Sequence, residues 1–388
     1  MERVKRLWVV LFLLMLGILG PVKEVQAEEQ TEEVQLYLDH WMKELDLSGI
    51  EDGMDQLFPG FDLDGGMLLE LIMKGKVSEA CNVVLQQIKG SLGGEIASVR
   101  QIFVYILVLG VISAFFSGFS DLFAGQQIAG AGFYFLYLLL MGLLTKVFLY
   151  VSQIAVSAVM DILLFIKLFI PTWFVAVGAA QGSATAVYYY QLMLMLAYLV
   201  ESVLNAVLIP FIYSYIMLSL LNGLWAEEKL TLLLDFIKKG VALALKLSMG
   251  VVTGLSLVQS VIVPVVDKMK VSALRRAVSA IPGIGGLAEG VTDLVLGSAV
   301  LLKNSMGVLL MVLLFGALLV PLLKILLVTG AVKLGAAVAG IVSDKRISGC
   351  ADRVGDGCFL LFRCVFTSAA LFIIVIAVVA CTASAWEG

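Results

Sequence analysis

Ionisable side chains interrupt the long apolar runs in this chain, among them Asp161, Lys167, Glu201, Lys246 and Lys324. Ionisable groups at bilayer depth are costly and usually face protein, water or one another. Such a set has two readings. One is a polar path that gates or couples transport. The other is a collection of neutralising pairs and lysines whose ammonium groups reach back to the interface. Lys146 and Lys246 lie near segment ends and fit the second reading. Asp161, Glu201 and Lys324 lie deeper and are the candidate gate or coupling residues. Asp161 and Lys167 are six residues apart. That separation turns about 600° around a helix and puts them on different faces. Each therefore needs a partner from another helix or another subunit.

A second chemistry is suggested by "RRAVSAIPGIGG", residues 275–286. Glycine-rich turns can cradle phosphate, but a phosphate loop needs a preceding strand and a Lys-Ser/Thr ending. Here Leu287-Ala288-Glu289 follows, so that reading fails. Residues 266–281 instead read as an amphipathic helix, with Val266, Met269, Ala273, Ala277 and Ile281 at helical spacing. Lys268, Arg275 and Arg276 share one sector of about 100°. Pro282 stops the helix and Gly283 permits the turn. Gly285 and Gly286 allow close backbone approach. Such an elbow can lie at the membrane surface with its basic sector toward lipid phosphates.

Enzyme signatures are missing. His40 is the only histidine and sits on the polar edge of a soluble-region helix, so a Ser-His intramembrane protease has no base. There is no HExxH, no Walker A sequence and no paired-aspartate transferase motif. Cys81, Cys350, Cys358, Cys364 and Cys381 match no zinc spacing and read as small apolar filler. The chain is expected to be no enzyme and to need no metal or cofactor.

The elements that position these residues are set by composition. Of 388 residues, 61% are hydrophobic and 14% charged, too greasy for a soluble domain. Continuous apolar runs exclude the alternating pattern of a transmembrane β-barrel. The expected class is an all-α polytopic membrane protein with a signal sequence, a small acidic helical ectodomain and about six to eight transmembrane helices. Arg3, Lys5 and Arg6 precede a short apolar stretch from Leu7 to Leu19, and Val25-Gln26-Ala27 supplies a cleavage site; the alternative is an uncleaved anchor. Residues 28–100 carry 15 acidic and 5 basic side chains, whereas residues 101–388 carry 13 and 17. An acidic soluble region excludes nucleic acid as its partner.

Five divisions are expected: a signal peptide at 1–27, an acidic extracytoplasmic region at 28–100, a first transmembrane bundle at 101–265, the basic helix and Pro-Gly elbow at 266–304, and a C-terminal transmembrane region at 305–388. Candidate spans are 101–124, 131–151, 154–178, 188–209, 211–225, 241–266, 305–330 and 359–381. Residues 188–225 form either a tight hairpin or one long helix broken at Pro210, and 288–302 a short, re-entrant piece. Lys229, Lys238 and Lys239 draw one loop to the cytosol, and Lys268, Lys270, Arg275 and Arg276 draw the next. One crossing separates the two loops, so the rule leaves both topologies open. Gly330, Gly335 and Gly340, with Ala336, Ala337 and Ala339, suit close helix packing in lipid.

The stretch at 275–286, with "TDLVLGSAVLLKNSMGV" (292–308), "PLLKI" (321–325) and "DKRISGCADRVGDG" (344–357), resembles the stage III sporulation protein AE family of endospore-forming Firmicutes. The resemblance is strong over the last third, and the leader, acidic region and apolar middle match it in order. It implies a mother-cell protein in the membrane around the forespore, with residues 28–100 in the intermembrane space. The implied partners are the other proteins of the stage III sporulation A complex, including a secretion-type ATPase and ring-forming components. The chain would be a transmembrane base, gate or scaffold of that channel, in contact with lipid and compatible with a homo-oligomer. It carries over no catalytic residue. The alternative from the residues alone is an autonomous small-molecule transporter that uses Asp161, Glu201 and Lys324.

Overall fold

The computed structural model describes Met54 and residues 64–122, 126–181, 184–223, 229–279, 285–342 and 345–381. The leader, the amphipathic stretch at 34–45, Pro282 and Gly283 lie outside the described residues. Among the described residues every element is helical: α1 (Gly65–Met73), α2 (Val77–Leu122), α3 (Gln126–Gln181), α4 (Ala184–Val203), α5 (Ile209–Asn222), α6 (Thr231–Ser279), α7 (Gly285–Val342) and α8 (Lys345–Cys381).

The ends of α1 follow from its sequence. The Asp64 carboxylate accepts the Met67 N–H at 3.0 Å, satisfying an amide with no intrahelical partner. At the other end Gly75 takes φ 76°, and Lys76 N–H reaches Leu71 O at 2.9 Å while Gly75 N–H reaches Ile72 O at 3.0 Å. This left-handed cap turns the chain into α2. Leu68, Leu69 and Ile72 on α1 are buried with Met54, and α1 packs on α7 and α2. α2 then runs from the acidic region into the apolar one with no helix end at residue 100.

Among the described residues four helical stretches are long and apolar enough to cross a membrane: Tyr134–Phe169, Leu194–Asn222, Asn304–Ile341 and Arg346–Ala377. Several differ from the segments expected above. Residues 131–151 and 154–178 belong to one helix, α3. The piece at 288–302 is the first part of α7, continuous with 305–330, rather than a separate segment. Both ends of the last hairpin run past the apolar limits at 330 and 359, because intrahelical backbone bonds continue where hydropathy stops. Helical backbone likewise continues from 241–266 to Ser279.

The region around Pro210 is one long broken helix, not a hairpin. A π-helical turn at Leu204–Leu208 links α4 to α5, and Pro210 occupies the second position of α5. Proline has no N–H and its ring crowds the carbonyl one turn back. A locally widened turn gives that ring room, which accounts for a break without a reversal.

Helix directions follow from residue pairs. Gly340 meets Ser348 and Lys333 meets Asp352, so α7 and α8 form an antiparallel hairpin. Ile106 meets Gly335 and Gly110 meets Ala339; both pairs advance by four residues together, so α2 and α7 are parallel there. On α3, Tyr137 bonds to Leu220 O and the Phe148 ring packs 5.2 Å from Tyr213, making α3 and α5 antiparallel. Phe165 meets Phe372 at 6.1 Å between centroids. Of the four spans, Arg346–Ala377 is the most enclosed: 72% of its most apolar stretch is buried, against 39% for Leu194–Asn222. α8 is therefore the inner helix, while Leu243, Leu247 and Val251 of α6 face outward, as lipid contact allows.

Lipid is as apolar as leucine, so close fit between helices holds such a bundle. A Cβ on Gly335 would stand 3.0 Å from Ile106 Cγ2, whereas one on Gly330 would have nothing within 4 Å. Gly335→Leu is expected to wedge α2 from α7 and cost about 1–3 kcal/mol. Gly330→Ala is expected to change stability by less than about 1 kcal/mol. Thermal unfolding of the two variants in one detergent checks the contrast, and equal losses would contradict the α2–α7 contact.

Candidate functional site

The densest cluster of charge among the described residues lies on α8, inside the stretch "CADRVGDG" at 350–357. Asp352 and Asp356 are one helical turn apart and so share a face. Lys333 on α7 reaches both, at 2.7 Å from Asp352 Oδ1 and 2.6 Å from Asp356 Oδ1. Asp356 Oδ2 accepts a second ammonium, from Lys238 on α6. Two lysines and two carboxylates thus close a chain across α6, α7 and α8. Asp356 is its centre, and its side chain is 26% exposed against 56% for Asp352.

The glycines around Asp356 explain how the pairs come so close. A Cβ on Gly355 would lie 2.9 Å from Lys333 Cγ, so its absence lets the lysine stem lie along α8. A Cβ on Gly357 would lie 1.7 Å from Ile216 Cδ1, so α5 is seated against the same turn. Tyr137 is fully buried and donates to Leu220 O at 3.0 Å. Gly223 leaves space for that hydroxyl, which a Cβ would approach to 2.0 Å; Arg353 Nη2 lies 3.4 Å from the same point. Buried Asn222 accepts the Leu230 N–H at 2.8 Å and so fixes the start of α6 and the approach of Lys238.

Deeper along α8 lies a separate polar contact. Glu201 of α4 is fully buried, and Ser368 Oγ donates to its Oε2. Asp161 and Lys324 are each half-buried, and Lys167 is exposed. Glu201 is bonded to Ser368, not to Asp161 or Lys324, so the three deep charges form no single line through Glu201. Arg363, within the apolar stretch Arg346–Ala377, is a cation the sequence reading passed over. Its guanidinium lies 4.7 Å from the Phe359 ring centroid, one turn back along α8, as a cation–π contact.

The elbow residues divide. Lys268, Arg275 and Arg276 belong to the helical backbone of α6, Gly285 and Gly286 open α7, and Pro282 and Gly283 lie outside the described residues. Among the described residues no group of three or more His, Cys, Asp or Glu is placed to hold a metal ion. Cys81 on α2 is half-buried, and burial pushes its thiol above the ordinary value, which disfavours the reactive thiolate. The cluster at 352–356 had one sequence signal: two carboxylates at i and i+4 flanked by glycines. It was obscured because Lys333 and Asp356 fall outside the apolar limits at 330 and 359.

Asp356 serves two lysines, whereas Asp352 serves one and is more exposed. Asp356→Asn should therefore cost about 1–3 kcal/mol, between a surface pair and a fully buried one. Asp352→Asn should cost less than about 1 kcal/mol. Chemical unfolding in micelles checks the order, and a larger loss at Asp352 would contradict it.

Comparison with known proteins places this architecture. Residues 63–383 match the family model for stage III sporulation protein AE. A relative from Bacillus subtilis (strain 168), stage III sporulation protein AE, is 22% identical over 226 residues. That match covers 58% of this chain and 57% of the relative. No solved structure matches. With the family model covering all eight helices described, the chain belongs to the stage III sporulation protein AE family.

Proposed function

We propose that this chain is a membrane subunit of the sporulation-specific channel complex between mother cell and forespore, acting as its transmembrane base, gate or scaffold. The observation that carries this reading is the clasp of Lys238, Lys333, Asp352 and Asp356, whose charges join helices of the chain to one another. A body braced in this way suits a platform that holds other proteins. Its partners would be the other proteins of the stage III sporulation A complex, including a secretion-type ATPase and ring-forming components. Its place would be the mother-cell-derived membrane around the forespore, with residues 28–100 on the intermembrane side. The elbow with Lys268, Arg275 and Arg276 would meet the ATPase if cytosolic and the rings if external.

A second reading, an autonomous transporter, is favoured by one feature: the fully buried carboxyl of Glu201. The two readings separate in reconstituted vesicles. The platform reading expects no solute uptake by the chain alone, and loss of partner pull-down in variants that break the clasp. Uptake that disappears on neutralising Asp161, Glu201 or Lys324 would favour the transporter. Deletion of the gene is expected to stop spore development after engulfment, scored as heat-resistant colonies and by microscopy. Normal spores from the deletion strain would overturn the sporulation role. One-sided labelling of a cysteine placed at Ser272, in a background without native cysteines, would assign the elbow to its compartment.

A further inference from the structure

Glu201 has an unusual combination of surroundings. Its side chain is fully enclosed, its Oε2 accepts from Ser368, and its Oε1 has no hydrogen-bond partner. Ser368 lies twelve residues beyond Asp356 on α8. At about 1.5 Å per residue this is about 18 Å further along the helix, near bilayer mid-depth if the clasp marks the interface. The π-helical turn at Leu204–Leu208 begins three residues after Glu201, so the carboxyl sits where α4 gives way to the widened passage before Pro210.

Among the described residues, the groups that surround it supply no countercharge. From α8 the neighbours are the Ser368 hydroxyl and the Cys364 thiol, one turn earlier; Arg363 on that helix is turned to Phe359. Among the side chains described, α3 carries Lys146, Asp161 and Lys167, and α6 carries Asp235, Lys238, Lys239 and Lys246; none of them is bonded to Glu201. The π-helical turn contains no ionisable side chain. A carboxylate in a low-dielectric interior with one neutral donor lacks compensation. Metal cations need several oxygen ligands, whereas a proton needs only one.

We propose that Glu201 is a proton-binding site within the membrane domain, with Oε1 as the acceptor atom and Ser368 as the residue that positions the carboxyl. A proton from water adds to Oε1 and converts the carboxylate to a carboxylic acid; the reverse step returns it to water. Ser368 keeps its bond to Oε2 in both states, so proton occupancy changes the charge at the α4–α8 contact without dismantling it. The site deepens the transporter reading but does not depend on it, because a gate or platform would use the same group to make helix packing respond to pH.

The test is pH-difference infrared spectroscopy of the full chain in phosphatidylcholine–phosphatidylglycerol nanodiscs. The wild-type spectrum should contain a carboxylic-acid C=O band that is lost in Glu201→Gln and shifted, but still present, in Ser368→Ala. Glu201→Gln keeps the shape and the acceptor for Ser368, and Ser368→Ala gives an independent readout if the first variant does not fold. Superimposable spectra for wild type and Glu201→Gln, or an unshifted band in Ser368→Ala, would overturn the site. Solute uptake does not enter this readout, so failure here leaves the platform and transporter readings to their own tests.

Discussion

A carboxylate that holds two lysines from two other helices must bring all three helices to one place. Asp356 does this for α6, α7 and α8, and most of the fold can be followed outward from it. Inside a bilayer no water replaces a missing partner, so a charged group near the apolar zone has to be satisfied by the chain itself. The glycines on either side of Asp356 make that satisfaction geometrically possible. Gly355 admits the Lys333 stem and Gly357 admits α5. A side chain at either position would push away the elements that bring the lysines and the loop anchored by Asn222.

Above and below that level α8 remains the helix that others touch. Tyr137 on α3 reaches the end of α5 near the clasp, and Phe165 on the same helix reaches Phe372 far along α8. Glu201 reaches Ser368 between these levels. The bundle is thus tied at a polar level near the hairpin tip, and at a second polar point about 18 Å deeper, with aromatic packing beyond it. This arrangement differs from a line of charges spaced for passage. Its polar groups connect helices to one another.

Much of this was legible in the residues. The all-helical class follows from continuous apolar runs, and Glu201 stands within one of them. Close packing at Gly335 was visible as a small-residue pattern, although a Cβ on Gly330 in the same series would meet nothing within 4 Å among the described residues. Helix limits were less legible, because hydropathy ends at the first charge while backbone hydrogen bonds do not. That is why Lys333 and Asp356 fell outside the spans drawn from hydropathy. Pro210 left a tight hairpin and one long broken helix both open, because the π-helical turn that makes it the second depends on how the neighbouring helices hold both halves in line. Ser368 had no local signal at all: a serine among alanines becomes a partner only when a carboxyl 167 positions away is brought to it.

The claim on which the account stands is that Lys238 and Asp356 are energetically coupled across α6 and α8. A double-mutant cycle of Lys238→Met and Asp356→Asn, measured by unfolding of the full chain in lipid, tests it most directly. The account predicts a favourable coupling of about 1 kcal/mol or more, as expected for residues joined in one ion network. Strictly additive losses, with no coupling, would contradict the clasp and the architecture drawn from it.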